Sequence, residues 1–121
     1  MIVQLRGVHL RLTDERYALV MDHLEGGLQA LSDRGDRPLQ VDVELEKTVQ
    51  RAPQTRRGER MYRVEAEVLT PGGRIRVRET ADDLRRAIAR MGRRLEERGR
   101  TRPMRRTESM TRAASGDDVV T

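Results

Sequence analysis

Cysteine, phenylalanine and tryptophan are absent from this 121-residue chain, and tyrosine occurs only twice. Without cysteine there can be no disulfide, no thiolate metal site and no thiol nucleophile. Without Phe or Trp the aliphatic residues must build the core. The base-stacking platforms of single-strand nucleic-acid readers are then missing too. Tyr17 and Tyr62 both fall in apolar phase and are expected in the core. His9 and His23 are too few and too far apart in sequence to argue for a metal site. Met1 to Leu5 is too short to be a signal peptide, and no run approaches the roughly 18 apolar residues of a membrane span. Length and composition predict one soluble, cytoplasmic domain.

Arginine is plentiful. The chain has 25 basic residues against 20 acidic ones, net +5, and only Lys47 is not arginine. The charge is unevenly spread. Met1–Lys47 holds 6 basic and 9 acidic residues, net −3, whereas Thr48–Glu79 holds 8 and 4, net +4. Thr80–Arg106 holds 10 and 4, net +6, and Thr107–Thr121 holds 1 and 3, net −2. Positive charge collected in one region is the electrostatic footprint of a protein that binds phosphates. The competing explanation is a solvated, arginine-rich surface with no partner.

Periodicity supplies the elements. Ile2–Arg6 reads as a strand ended by Gly7. Thr13 is placed to cap a helix with Asp14 and Glu15 in its first turn. Tyr17, Val20, Met21, Leu24, Leu28 and Leu31 recur along that helix at helical spacing. Gly26-Gly27 interrupts it at roughly 1 kcal/mol per glycine relative to Ala, so either the helix bends there or packing outweighs the penalty. Leu39, Val41, Val43 and Leu45 alternate with polar residues and mark a second, half-buried strand. Thr48–Arg60 is polar and basic, contains Pro53 and Gly58, and is expected to be a mobile loop.

Tyr62, Val64, Ala66 and Val68 alternate in a third strand, and Ile75 and Val77 mark a fourth. With Pro71 and Gly72 at the centre of the intervening turn, Val68 faces Ile75 and Ala66 faces Val77. On the other face Glu67 meets Arg76 and Glu65 meets Arg78, which partly neutralises those arginines. A last helix follows, with Leu84, Ala87, Ile88, Met91 and Leu95 on one stripe and Arg86, Arg90 and Arg93 opposite. It leads into a basic tail with Arg98, Arg100, Arg102, Arg105 and Arg106.

The order β-α-β-β-β-α predicts an α+β two-layer sandwich, a four-stranded sheet with two helices on one face and water on the other. A right-handed crossover through the first helix makes strands one and two parallel if they are neighbours. Residues 1–106 form the expected domain, and 107–121, small and polar, a disordered tail.

Catalytic chemistry finds no support. Asp82 and Asp83 stand where a helix begins, which capping explains. Asp42, Glu44 and Glu46 are the wet side of a strand, set to repel nucleic acid there. No general base lies near Ser32, Ser109 or Ser115 in sequence. Gly72-Gly73 lacks the strand-loop-helix context of a phosphate loop. No catalytic residue, metal, cofactor, small-molecule substrate or membrane partner is expected.

The chain resembles the ribosome hibernation-promoting and ribosome-associated inhibitor family, once described as sigma-54 modulation proteins. The order of elements matches, as does Leu5-Arg6-Gly7 ahead of Leu12-Thr13 and the first helix. Asp83-Leu84-Arg85-Arg86-Ala87-Ile88-Ala89 stands where the family shows Asp-Met-Tyr-Ala-Ala-Ile-Asp, with Arg85 at the tyrosine and Ala89 at the second aspartate. Arg93-Arg94-Leu95 matches the basic stretch that follows. The likeness spans about Ile2 to Arg106, and the chain looks like the family's short form, lacking the domain that pairs ribosomes.

The resemblance implies binding to ribosomal RNA of the small ribosomal subunit, in the channel used by messenger and transfer RNA, with translation blocked by occupancy. It points to Arg86, Arg90, Arg93 and Arg94 on the helix and Arg98, Arg100 and Arg102 beyond it as phosphate contacts. Arg85 joins them unless it packs on the apolar stripe, and Arg56, Arg57 and Arg60 on the central loop are weaker candidates. Two other readings remain: a free-standing binder of structured RNA, and a protein-interaction module acting in transcription.

Overall fold

The computed structural model describes residues 1–50 and 59–101. Its elements are β1 (Ile2–Val8), α1 (Asp14–Asp33), β2 (Gln40–Gln50), β3 (Glu59–Thr70), β4 (Gly73–Ala81) and α2 (Leu84–Thr101). The α+β order is the expected one. The sheet runs β1-β2-β3-β4, with β1 parallel to β2 and both later pairs antiparallel.

The β3–β4 hairpin adopts the expected register. Val68 pairs with Ile75, Ala66 with Val77, Glu67 with Arg76 and Glu65 with Arg78. Two boundaries differ from expectation. Gly7 lies inside β1, paired with Leu45, and a Cβ there would come within 2.2 Å of the Leu10 carbonyl oxygen, so the position requires glycine without ending the strand. The expected 48–60 loop is shorter, since Thr48, Val49 and Gln50 pair with Met61, Arg60 and Glu59. Polar residues extend these strands because ladder hydrogen bonds do not depend on side-chain polarity. Positions 51–58 lie outside the described residues, as does the 107–121 tail.

Alternation places Val41, Val43, Leu45, Val64, Ala66, Val68, Ile75 and Val77 beneath the helices, where all are buried. Val20, Leu24 and Leu31 from α1 and Ala87, Ile88, Met91 and Leu95 from α2 close the same core. Both helix starts are capped as expected. Thr13 Oγ1 accepts from the Arg16 N–H at 3.2 Å, and Asp83 Oδ1 from the Arg85 N–H at 2.9 Å.

The α1 stripe departs from expectation. Gly27 and Ala30 are buried with Val20, Leu24 and Leu31, whereas Met21 and Leu28 are half-buried and Tyr17 is 46% exposed. Tyr17 is therefore a surface residue, and only Tyr62 packs against the core. The cause is α2, which crosses α1 on its small residues. A Cβ on Gly27 would lie 2.6 Å from Leu95 Cγ, and one on Gly92 would lie 2.5 Å from the His23 carbonyl oxygen. Gly26-Gly27 does not break the helix; close packing outweighs its poor propensity.

Asp36 ties the α1–β2 connection to the β3–β4 turn. Its Oδ1 accepts from the Gly72 N–H at 2.8 Å and its Oδ2 from Thr70 Oγ1 at 2.9 Å. Asp36→Ala removes both acceptors from this partly buried tie and is expected to lower stability by about 1–3 kcal/mol, read as an earlier urea midpoint. Asp36→Asn, which keeps one acceptor, should lose less.

Candidate nucleic-acid interface

Helix α2 carries seven arginines and two glutamates, net +5, on a helix whose apolar stripe is buried from Ala87 to Leu95 and half-buried at Leu84. Arg85, Arg86, Arg90, Arg93, Arg94, Arg98 and Arg100 are all exposed. Arg98 and Arg100 lie on the last helical turns, since α2 runs to Thr101 with Gly99 buried beside Ala30 of α1. Arg60 is exposed at the start of β3, not on a loop. Arg56, Arg57 and Arg102 lie outside the described residues.

The arginines fall into two sets. Arg90, Arg94 and Arg98, spaced four apart, form a ridge along the free edge of β4. Arg90 Nη1 donates to the Thr80 carbonyl at 2.9 Å and Arg98 Nη1 to the Arg76 carbonyl at 3.4 Å. Arg94 pairs with Glu79 at 3.0 Å. The two backbone bonds occupy acceptors that an edge strand otherwise offers to another chain. Helical spacing alone set Arg90 on the solvent side. The role of this ridge was missed because the free edge beside it depends on strand order.

The other set points outward. Arg86 has one loose partner, Asp82 at 3.5 Å, an exposed pair of little energetic weight. Arg85 and Arg93 make no side-chain hydrogen bond or ion pair among the described residues. Arg85 is exposed and does not pack on the apolar stripe. Arg100 pairs with Glu96, and its carbonyl accepts from Arg34 at the end of α1. A guanidinium with its five N–H donors unengaged can take a phosphate without first giving up a carboxylate.

The opposite face of the sheet differs. Asp42, Glu44, Glu46, Glu65 and Glu67 run down its middle with Arg63, flanked by Arg6 of β1 and by Arg74, Arg76 and Arg78 of β4. Arg6 bridges Glu44 at 3.1 Å, Arg76 bridges Glu67 at 3.0 Å, and Arg63 pairs with Glu46. A shallow trough of about 710 Å³ lies among Gln4, Asp42, Glu44, Glu67 and Arg76. No group of three or more His, Cys, Asp or Glu among the described residues is arranged to hold a metal ion. No described helix is long and apolar enough to cross a membrane.

These features define a small α+β protein that displays an arginine-rich helix beside a free sheet edge. The chain belongs to the family described as sigma 54 modulation protein / S30EA ribosomal protein, whose model matches residues 3–105. It is similar to the Protein Y N-terminal domain of Thermus thermophilus, with 28% identity and a TM-score of 0.58 over 83% of this chain and 97% of that one. A ribosomal subunit interface protein from Coxiella burnetii shares the fold at 17% identity and a TM-score of 0.61, over 81% of this chain and 92% of that one. No curated protein matches the chain.

Proposed function

We propose that this protein is a non-catalytic, cytoplasmic ribosome hibernation factor. It binds ribosomal RNA of the small subunit through the outward face of α2, occupies the messenger and transfer RNA channel, and stops translation by occupancy. Residues 1–106 form the binding domain. Membership of a family described by a ribosomal protein supports this reading, as does the description of the Coxiella relative as a subunit interface protein. The observation that carries it is the exposed arginine face of α2, where the side chains of Arg85 and Arg93 have no hydrogen-bond or ion-pair partner among the described residues.

Helix α2 carries no aromatic side chain on which a base could stack, and the exposed Tyr17 lies on α1, so binding through α2 follows backbone geometry and not base identity. Each phosphate engaged contributes about −0.7 to −0.9 to the slope of log K against log salt. If Arg85, Arg86, Arg93 and Arg100 each take one, the slope is expected to be about −3. Sucrose-gradient sedimentation of the protein with purified subunits at stepped salt measures this. Co-migration with the small subunit that fades as salt rises supports the reading. Migration at the top of the gradient at low salt contradicts it.

A further inference from the structure

We propose that Glu65 and Glu67 are specificity determinants: they hold the β4 arginines as internal counter-ions and so confine nucleic-acid binding to the α2 side. The inference rests on the functional reading only for the identity of the favoured ligand. Arg74, Arg76 and Arg78 are as exposed as the helix arginines, at 64%, 59% and 58% of the side chain. By exposure alone they would make a second phosphate-binding row on the far side of the same strand.

Their partners argue otherwise. Arg76 reaches Glu65 at 3.5 Å and Glu67 at 3.0 Å, Arg74 reaches Glu67 at 3.3 Å, and Arg78 reaches Glu65 at 3.6 Å. The two carboxylates lie below the guanidiniums, only 18% and 26% exposed.

Register explains why these pairs are held. Asp42 stands directly opposite Glu67, and Glu44 directly opposite Glu65, so β2 and β3 set like charges side by side. Such pairs are destabilising unless cations intervene. The β4 arginines offset the carboxylates from one side, Arg6 of β1 reaches Glu44 from the other, and Arg63, in line with Glu65 on β3, reaches Glu44 and Glu65. A phosphate that drew Arg76 away would take one cation from each carboxylate and then face them. The five carboxylates and five arginines whose side chains are described on this face cancel, whereas α2 keeps a net +5. A repulsive element against the wrong ligand pose is a common route to specificity.

The test uses a short RNA duplex of unrelated sequence and the full chain. Glu65→Gln with Glu67→Gln keeps the side-chain shape and removes the charge. Expected are about tenfold tighter duplex binding at low salt and a salt slope steeper by about two, as released guanidiniums take phosphates. The reciprocal variant, Arg74→Gln, Arg76→Gln and Arg78→Gln, should bind the duplex as the unaltered protein does. A thermal melt of each variant identifies poor folding, and Glu67→Gln alone, expected to bind the duplex more tightly by a smaller factor, keeps the test decisive should either multiple variant fold poorly. Unchanged affinity and slope in the carboxylate variant, or weaker binding by the reciprocal one, overturns the proposal. Both measurements use RNA alone, so failure of the unaltered protein to bind ribosomes would refute the functional reading and leave this comparison standing.

Discussion

Arg86→Glu combined with Arg93→Glu is expected to weaken small-subunit binding by about 10²- to 10⁴-fold, at roughly 1.5–3 kcal/mol for each charge-assisted hydrogen bond removed. Stability should hardly change. Arg93 has no intramolecular partner among the described residues, and the 3.5 Å pair of Arg86 with Asp82 is solvent-exposed. The choice of residues matters. Reversing Arg90 or Arg94 would also remove a donor to Thr80 or set position 94 against Glu79, so weaker binding could follow from a loosened β4 edge. A filter-binding titration, paired with a thermal melt, separates the effects. Full binding by the Arg86/Arg93 variant would remove α2's outer face from the interface.

Gly92 is the position on α2 where a single added atom should most damage the fold. Helix propensity argues that Gly92→Ala stabilises by about 1 kcal/mol. The new Cβ, however, would lie 2.5 Å from the His23 carbonyl oxygen and 2.9 Å from His23 Cβ, both fixed to the α1 backbone. Overpacking of this kind costs about 1–3 kcal/mol, so the net effect of alanine is expected to be destabilising. Gly92→Leu should cost about 3 kcal/mol and lower the melting temperature by roughly 12–24 °C in a domain of this size. Gly26→Ala is the control. Its Cβ would meet Glu96 Oε1 at 2.8 Å, the end of a flexible side chain that can swing away. It should be neutral or mildly stabilising. Calorimetry on the three variants decides, and a Gly92→Ala protein as stable as the parent would mean that the helices do not pack closely there.

These two positions show what was legible in the sequence. Strand alternation and the Pro71-Gly72 turn were enough to set the β3–β4 register, because each pairing had to satisfy an apolar face and a charged face at once. The arginine face of α2 was legible because the opposite stripe of that helix is uniformly apolar. The α1 stripe was legible only in part. Glycine has no hydrophobic signature, so Gly27 and Gly92 gave no sign of the helix crossing that turns Tyr17 to the surface. The division of the arginines was not legible either. It depends on β4 being an edge strand and on which carbonyls face outward. The pairing of β2 with β3, which places Glu44 against Glu65, joins residues across a segment with no apolar alternation.

The most direct measurement exploits the missing cysteine. Glu97→Cys puts one thiol on the outward face of α2 without removing an arginine, and Gln4→Cys puts one on the exposed sheet face. Each is loaded with a tethered iron chelate that cleaves nearby RNA, and the protein is then bound to small subunits. Cleavage of the RNA that lines the messenger and transfer RNA channel from position 97, with little from position 4, is the expected result. Cleavage from position 4 alone, or at sites outside the channel, would contradict binding through α2 in that channel.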